Sequence, residues 1–378
     1  MRRLMFDKFH EWYEKRHDYA RDWLAKNDGE VVGCFCSYVP EEILYAGGML
    51  PVRMLGSHEP QDVTEPHIFG MYCPFCRDVL AQGLKGRYDY MKGIVLSQSC
   101  LHLRQAFTSW NNHVPVDFSF YLYMPNKVQT EHARPYYAAE LIKIKGALEK
   151  WSGKSITDES LEAAVELYNE NRRLMHEVYD LRKGPDPKVT GLEAMHMVAS
   201  SFFVDKKDHN AELKRILPEL KSRTLDRETG GRLMIVGSEN DDTEFIAMVE
   251  SVGATVVVDD HCTGSRYFWN LTERNGDLLQ DIANRYLDRP PCPTKDWEER
   301  RRFPHILQLA KDFGVDGVIL IQQKFCDPHE CDMVPLKETL KEAGYPTLFL
   351  EFDVTVPIGP MRIRVEAFLE MLGVEELF

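Results

Sequence analysis

The sequence of 378 residues contains nine cysteines, whose thiols can bind metals and carry out redox or nucleophilic chemistry. They are Cys34, Cys36, Cys73, Cys76, Cys100, Cys262, Cys292, Cys326 and Cys331. An intracellular chain keeps its thiols reduced, so we do not expect a disulfide framework. Each thiol is therefore either a small buried side chain or a ligand of a metal group.

Two of the cysteines follow short apolar runs that are typical of buried strands. Val318 to Ile321 is an unbroken branched run, too short for a helix, and Cys326 lies just beyond it. The stretch from Gly93 repeats this pattern and leads to Cys100. The carboxyl ends of parallel strands meet at the edge of a sheet where ligands bind. The sequence therefore predicts that both thiols face a common crevice.

A Cys-x-x-Cys motif, Cys73 and Cys76, opens a segment with helical spacing. Alone, this motif indicates a redox pair, half of a zinc site or cluster ligands. The sequence has no second Cys-x-x-Cys and no His-x-x-x-His to complete a zinc finger. Thiolates from dispersed loops suit iron and sulfide, because soft ligands prefer a soft centre. We therefore predict an iron–sulfur cluster.

Three other cysteines have weaker signals. Cys36 follows a strand-like run and is interpreted either as a core thiol or as a ligand. Cys262 lies in the polar end of another strand, which is expected to face the crevice. Cys292 lies in a rigid proline-rich loop without neighbouring ligands, so we expect it to be buried for structural reasons.

The charge balance limits the classes of partner. The chain has 46 Lys and Arg residues against 60 Asp and Glu residues, a net charge of -14, and no basic block. This composition argues against nucleic acid or an anionic membrane as a partner. Phe6 to Lys26 is too charged for a signal peptide, and no stretch approaches the roughly 20 apolar residues of a membrane span. We expect a cytoplasmic protein.

The chain is too long for one hydrophobic core, and its pattern predicts two α/β lobes. We expect an amphipathic N-terminal helix in 1–29, an N-terminal α/β lobe with cluster cysteines in 30–129, a helical connection in 130–228 and a C-terminal α/β lobe in 229–378. The aromatic face of the first helix is interpreted as a packing surface, either within the chain or against a partner subunit.

The turn at Gly237 and Ser238 looks like a nucleotide-binding turn, but Gly-x-Gly-x-x-Gly is absent and the acidic residues that follow would repel phosphate. We do not predict a dinucleotide site there. His102 and His113 flank the region of Cys100, and each is interpreted as a histidine satisfied by the backbone rather than as a proton donor.

Short segments in a fixed order carry a family resemblance. They are Phe35-Cys36-Ser37-Tyr38-Val39-Pro40-Glu41-Glu42, Ala46-Gly47-Gly48-Met49-Leu50-Pro51-Val52-Arg53, Cys73-Pro74, Ser99-Cys100, Lys324-Phe325-Cys326-Asp327-Pro328 and Leu350-Glu351. From about residue 30 to its end, the chain resembles the 2-hydroxyacyl-CoA dehydratase and benzoyl-CoA reductase family. Two more segments, 259–264 and 290–293, make it similar to the smaller substrate-site subunit of ATP-dependent benzoyl-CoA reductases, and to the double-cubane cluster proteins.

The resemblance implies a fold and a cofactor. The fold is two Rossmann- or flavodoxin-like parallel-sheet lobes joined by a helical segment, with the iron–sulfur cluster between them. The cofactor is a four-iron, four-sulfur (4Fe-4S) cluster held by Cys73, Cys100 and Cys326. Cys76 and Cys331 are additional to the family pattern. A fourth protein ligand at Cys76, Cys36 or Cys331, the choice of Cys76 over Cys73, and a larger double-cubane cluster all stay open.

The resemblance also implies a reaction and its partners. The expected function is reduction of the aromatic ring of benzoyl-CoA, together with a homologous second substrate-site subunit, an ATP-hydrolysing activator and ferredoxin as the upstream donor. The sequence has no Gly-x-x-x-x-Gly-Lys-Ser/Thr loop, so the activator must be another polypeptide. A proton donor is also implied, and the candidates are His261 and, as the alternative to its backbone-satisfied interpretation, His102. The alternatives are a 2-hydroxyacyl-CoA dehydratase subunit and a noncatalytic electron-relay or scaffold subunit.

Overall fold

The computed structural model describes residues 7–374. Within these residues, two four-stranded parallel sheets are flanked by fifteen α-helices, which confirms the predicted α/β class.

The N-terminal region contains two helices, α1 (Asp7–Glu14) and α2 (Arg16–Lys26), where one was expected. Their aromatic face packs against the chain itself. The ring of Phe9 meets His209 edge-on at a centroid distance of 5.4 Å, and Trp12 stacks on the same imidazole at 6.2 Å. The aromatic residues therefore cover the chain's own helical connection, and they are not a free surface for a partner subunit.

The first sheet has the strand order β2-β1-β3-β4. Its strands are β1 (Val31–Cys34), β2 (Leu50–Arg53), β3 (Gly93–Ser97) and β4 (Phe118–Leu122), with helices α3 (Glu41–Ala46), α4 (Pro74–Leu84) and α5 (Leu101–His113) between them. In β1 and β3 every residue is buried, as expected for central parallel strands covered on both faces. The chain reverses its direction of winding between these two strands, and ligands bind at such a point.

Four helices form the connection to the second lobe. They are α6 (Ala133–Ser152), α7 (Asp158–Asp180), α8 (Gly191–Ser200) and α9 (Lys206–Ser222). Two begin at threonine caps, because the hydroxyl groups of Thr157 and Thr190 accept hydrogen bonds from the backbone amides of Ser160 and Glu193.

The second sheet repeats the topology of the first, in the order β6-β5-β7-β8. Its strands are β5 (Gly231–Gly237), β6 (Ala254–Asp260), β7 (Gly317–Gln323) and β8 (Thr347–Phe352). The helices are α10 (Thr243–Ser251), α11 (Ser265–Phe268), α12 (Leu278–Asp288), α13 (Arg302–Asp312), α14 (Asp327–Glu342) and α15 (Ile358–Met371), with a 3-10 turn at Pro293–Lys295. The point of reversal here lies between β5 and β7.

A buried polar network fixes the two lobes against the helical connection. Glu42 in α3 forms an ion pair with Arg172 in α7 and accepts a hydrogen bond of 2.8 Å from the hydroxyl group of Tyr286 in α12. The neighbouring Glu41 accepts a bond of 2.6 Å from Tyr267 in α11. Because a buried charge is costly without its partner, these contacts hold one relative arrangement of the three parts.

None of the helices in residues 7–374 has both the length and the apolar character needed to cross a membrane.

Candidate functional site: a cysteine-lined cavity between the two sheets

Four cysteines come together where the carboxyl ends of the two sheets face each other. Cys73 immediately precedes α4, and Cys76 lies in the first turn of that helix. Cys100 follows β3 and precedes α5, whereas Cys326 follows β7 and precedes α14. The structure therefore brings Cys73, Cys76, Cys100 and Cys326 into one cavity, although the last comes from the other lobe.

These thiols interact with one another in a chain. Hydrogen bonds with Cys326 and Cys76 hold the pKa of Cys73 well below its ordinary value. A hydrogen bond from Cys76 likewise lowers the pKa of Cys100. Burial and the hydrogen bonds with Cys100 and Cys73 raise the pKa of Cys76, and the bond to Cys73, with burial, raises that of Cys326. The four sulfur atoms are therefore close enough to influence one another's protonation.

Three of the four cysteines occupy the N-cap position of a helix. Cys73 is followed by Pro74 at the first helical position, and the sulfur of Cys100 accepts a hydrogen bond from the backbone amide of Leu103 at 3.4 Å. Cys326 caps α14. The positive ends of three helix dipoles therefore point toward the cavity, an arrangement that favours negative charge there.

The cavity has a volume of about 80 Å³, and its accessible lining is almost entirely carbon and sulfur. Cys36, Cys262 and Cys292 also line it. Cys292 was expected to be buried for structural reasons, and its thiol is partly buried in the proline-rich loop 290–293. Cys331 does not line this cavity, and its side chain is exposed.

The donor set can be tested against the predicted cluster. Among the described residues, no three His, Cys, Asp or Glu side chains converge closely enough to hold a single metal ion. Cluster ligands bind separate iron atoms of a polynuclear group, so they must surround a space, and these thiols do. Four residues that line the cavity also carry a buried polar atom without a hydrogen-bond partner: Arg53 Nε, Arg266 Nη1, Arg289 Nε and Ser99 Oγ. Such donors suit an anionic group rich in sulfur acceptors, so the residues fit a thiolate-bound iron–sulfur cluster.

A more open cleft adjoins the cavity. It has a volume of about 380 Å³ and shares Ser99, Cys100, His102 and Pro328 with the cavity lining. Trp297, whose side chain is 55% exposed, lies on its far wall. The cleft gives a molecule larger than water a route from the surface to the thiols.

The histidines considered as proton donors differ in position. His102 lines the cavity, where its Nδ1 accepts a hydrogen bond of 3.0 Å from the backbone amide of Cys73 and so positions that cysteine. His261 is buried against Thr263, with Nδ1 and Oγ1 3.1 Å apart, and does not line the cavity. His113 packs against His67 at the far end of α5, with ring centroids 4.2 Å apart.

The sequence prediction missed an acidic group in the cavity. Glu239 follows β5 in the turn at Gly237, lines the cavity, and is 7% exposed. Close by, the imidazole Nε2 of His58 lies 2.5 Å from Oδ1 of Asp241. The sequence does show a cluster of acidic residues after Ser238. That cluster was interpreted only as evidence against a phosphate site, and it does not by itself indicate a proton donor.

Exposed apolar side chains surround the cysteine segments on the protein surface. We call Phe69, Met71, Leu101 and Phe325 the mouth patch, since each lies within four residues of Cys73, Cys100 or Cys326 in the chain. Their side chains are 76%, 69%, 55% and 41% exposed, respectively. Large apolar side chains gathered at one place on a surface mark an interaction site.

Comparison with known proteins gives one family and several relatives. The family model of the 2-hydroxyglutaryl-CoA dehydratase D-component matches residues 36–372. The chain is 27% identical over 368 residues to the (R)-phenyllactyl-CoA dehydratase beta subunit of Clostridium sporogenes, covering 97% of this chain and 98% of that protein. It is also 27% identical over 356 residues to a benzoyl-CoA reductase subunit of Thauera aromatica, covering 92% of each. The beta subunit of (R)-2-hydroxyglutaryl-CoA dehydratase from Acidaminococcus fermentans is 24% identical over 375 residues, with 96% and 98% covered.

Proposed function

Because the chain belongs to the 2-hydroxyglutaryl-CoA dehydratase D-component family, we propose that it is the iron–sulfur subunit of an enzyme complex that reduces the aromatic ring of benzoyl-CoA. The observation that carries the proposal is the apolar cavity in which four thiols interact and into which a surface cleft opens. A cavity of this kind holds an acyl group beside a metal group and away from water.

Cys73, Cys100 and Cys326 would hold the 4Fe-4S cluster, with Cys76 as a fourth or alternative ligand. When bound, such a cluster supplies single electrons at potentials that reach about -700 mV. The three helix N-termini at Cys73, Cys100 and Cys326 stabilise the negative charge of the thiolates. The buried guanidinium groups of Arg53, Arg266 and Arg289 add positive charge and unpaired N–H donors.

The rest of the cavity serves the substrate. Ring reduction adds electrons to a delocalised system, so the reacting atoms must be kept from water and oxygen, which would otherwise take the electrons. The carbon-rich lining meets that need. The adjoining cleft is large enough for part of a CoA chain, and this supports a catalytic role over that of a noncatalytic electron relay or scaffold, which needs no such route.

The chain is proposed to act with three kinds of partner. A homologous second substrate-site subunit closes the cavity, and the exposed mouth patch beside the cysteines supports its docking there. An ATP-hydrolysing activator delivers electrons singly, and ferredoxin supplies the activator. This chain lacks a Gly-x-x-x-x-Gly-Lys-Ser/Thr loop, which supports ATP hydrolysis on a separate polypeptide.

Dehydration of a 2-hydroxyacyl-CoA is the second candidate function. It is favoured by the 27% identity to the phenyllactyl-CoA dehydratase beta subunit over nearly the whole of both chains. The same cavity serves this reaction, and the two differ in their use of electrons. Ring reduction consumes two electrons in each turnover, whereas dehydration returns its electron.

The ratio of ATP hydrolysed to product distinguishes the two functions. The chain, purified without oxygen together with its native partners, is assayed with benzoyl-CoA and with 2-hydroxyacyl-CoA thioesters. We expect ATP to be hydrolysed in proportion to the benzoyl-CoA reduced. Sustained dehydration of a 2-hydroxyacyl-CoA with catalytic ATP, and without ring reduction, would replace the first function by the second.

A further inference from the structure

Glu239 is a buried carboxyl group that meets no donor. Among the described residues, neither of its carboxyl oxygens accepts a hydrogen bond from an N–H or O–H group, although only 7% of the residue is exposed. A carboxylate without donors in such a site is costly, and the usual outcome is that the group keeps its proton. Burial, and then the charge of Asp241, raise the pKa of Glu239 well above its ordinary value.

The group that Glu239 faces at hydrogen-bonding range is another carboxyl, that of Asp241. Two carboxyl groups make such a contact only when one of them carries a proton. Burial would raise the pKa of Asp241, but the charge and the hydrogen bond of His58 outweigh it and hold that pKa below its ordinary value. Of the two carboxyl groups, Glu239 is therefore the one whose pKa is raised.

His58 connects this pair to solvent. Its side chain is 24% exposed, and its Nε2 lies 2.5 Å from Asp241. Although burial opposes it, the charge of Asp241 raises the pKa of His58 to about 10, so the imidazole is protonated at neutral pH. The loop that carries His58 is fixed by Asp78, whose Oδ2 accepts the backbone amide of His58 at 2.9 Å.

The three groups cross the junction between the lobes. His58 follows β2 of the first sheet, whereas Glu239 and Asp241 follow β5 of the second. The remaining charge that faces Glu239 is the guanidinium group of Arg53, which opposes the rise in its pKa. The row therefore runs from the half-buried imidazole of His58 to the buried carboxyl group of Glu239, a residue that lines the cavity.

We propose that Glu239 donates protons to the acyl group bound in the cysteine-lined cavity, and that Asp241 and His58 reload it from solvent. The inference rests on the proposed function, because both of its candidate reactions need a proton in that cavity.

The step balances with the electron supply already named. Ring reduction adds two electrons from a low-potential one-electron donor and two protons. For each proton the O–H bond of Glu239 breaks, a C–H bond forms on the reduced ring, and the carboxyl group becomes a carboxylate. Two carboxylates then face each other, and their repulsion favours uptake of a proton that leaves His58 and passes through Asp241. Solvent reprotonates the imidazole.

Glu239→Gln separates proton donation from a structural role. Glutamine has nearly the same shape, and its amide can donate to Asp241, so the fold and the cysteines should be undisturbed. Glu244→Gln is the matched control, because Glu244 is exposed on α10. Both variants are purified as the whole complex, and their iron content and thermal unfolding are compared with those of the wild type.

The first readout is independent of turnover. Infrared spectra of the complex without ATP should show the carbonyl band of a neutral carboxylic acid at neutral pH. Glu239→Gln should lose this band, and Glu244→Gln should keep it. In His58→Gln the band should persist while the steady-state rate falls, because the donor stays loaded and only its reloading is slowed.

The second readout is the rate. General acid catalysis contributes about 10²–10⁴-fold, so Glu239→Gln should lower product formation by a factor in that range while iron content stays at the wild-type value. ATP hydrolysis should continue without product. A Glu239→Gln complex with the wild-type rate, or a wild-type spectrum without a band that depends on Glu239, overturns the inference. A wild-type complex that turns over neither thioester contradicts the proposed function instead. The role of Glu239 as proton donor is then also contradicted, even if the infrared band is present.

Discussion

Cys326 reaches the cavity from the second sheet, whereas Cys73, Cys76 and Cys100 reach it from the first. Every one of these residues lies at the start of a helix, so its sulfur is held by the backbone of a rigid element. If these sulfur atoms hold the proposed cluster, they can shift little, and substitution of a single cysteine is expected to reduce iron binding.

Replacing Cys73, Cys100 or Cys326 with serine should lower the iron content measured without oxygen. A serine oxygen is a harder ligand than a thiolate and binds iron of a cluster less well. Cys331→Ser is the control, because this exposed thiol lies on α14 outside the cavity. Iron at the wild-type level in the Cys326→Ser variant would show that the cluster is held elsewhere.

At the scale of residues, the sequence predicted the four cysteines but not the acid beside them. Cysteines are rare, and their positions after apolar runs could be read directly from the sequence. Glu239 is one of 60 acidic residues, and what sets it apart is burial without a donor, a property of the folded chain. The place of Cys292 at the cavity was not visible in the sequence for the same reason. The course of a proline-rich loop is decided by contacts that are distant in the sequence, such as the bond of 3.0 Å from the amide of Cys292 to the hydroxyl group of Tyr38.

At the scale of elements, Gly237 decides where β5 ends and the turn to Glu239 begins. It has a φ of +149°, and a Cβ atom at this position would lie 1.9 Å from the carbonyl oxygen of Ile321 in β7. Only glycine allows the two strands to approach so closely at this point.

Gly237→Ala should therefore lower the free energy of unfolding by about 3 kcal/mol, because the backbone must move or adopt a strained conformation. The measurement is denaturant unfolding of the purified chain. Gly146→Ala in α6 is the control, since a Cβ atom there meets nothing within 4 Å. That variant should gain about 0.5–1 kcal/mol from the better helix propensity of alanine. Equal stability of the two variants would contradict the role assigned to Gly237.

The strands were predicted more completely than the helices. The central strands are continuous apolar runs, a pattern typical of buried parallel strands and too short for most helices, and the run Val318 to Ile321 lies within β7. α9 lies within the helical connection predicted in 130–228, but its bounds were not predicted. α9 is dense in charge and contains Pro218, so its apolar stripe is hard to see, and its start is marked mainly by Asp205, whose side chain accepts the backbone amide of Lys207.

At the scale of the whole molecule, the mouth patch exposes four large apolar side chains that a partner subunit could cover. The N-terminal aromatic residues pack inside the chain and leave no free face for one. The exposed Phe69 and Met71 instead flank the cavity on the side of the first lobe. We expect the chain to purify without oxygen as a heterodimer with a related subunit.

The double variant Phe69→Ser and Met71→Ser should weaken this heterodimer and leave iron content unchanged. Loss of two buried apolar anchors should raise the Kd by about tenfold or more, as measured by sedimentation of the mixed subunits. Ile363→Ser is the control, because that side chain is 67% exposed on α15 in the opposite lobe. A homogeneous wild-type monomer, or equal weakening by the control, would contradict the assignment of this surface.

The division of the thiols between the lobes has a mechanical consequence. The proposed cluster, held by Cys73 and Cys100 on one side and Cys326 on the other, would join the two lobes. If oxygen destroys the cluster, this link between the lobes is lost and the junction between them loosens. Exposure to air would then remove both electron transfer and the closed form of the cavity.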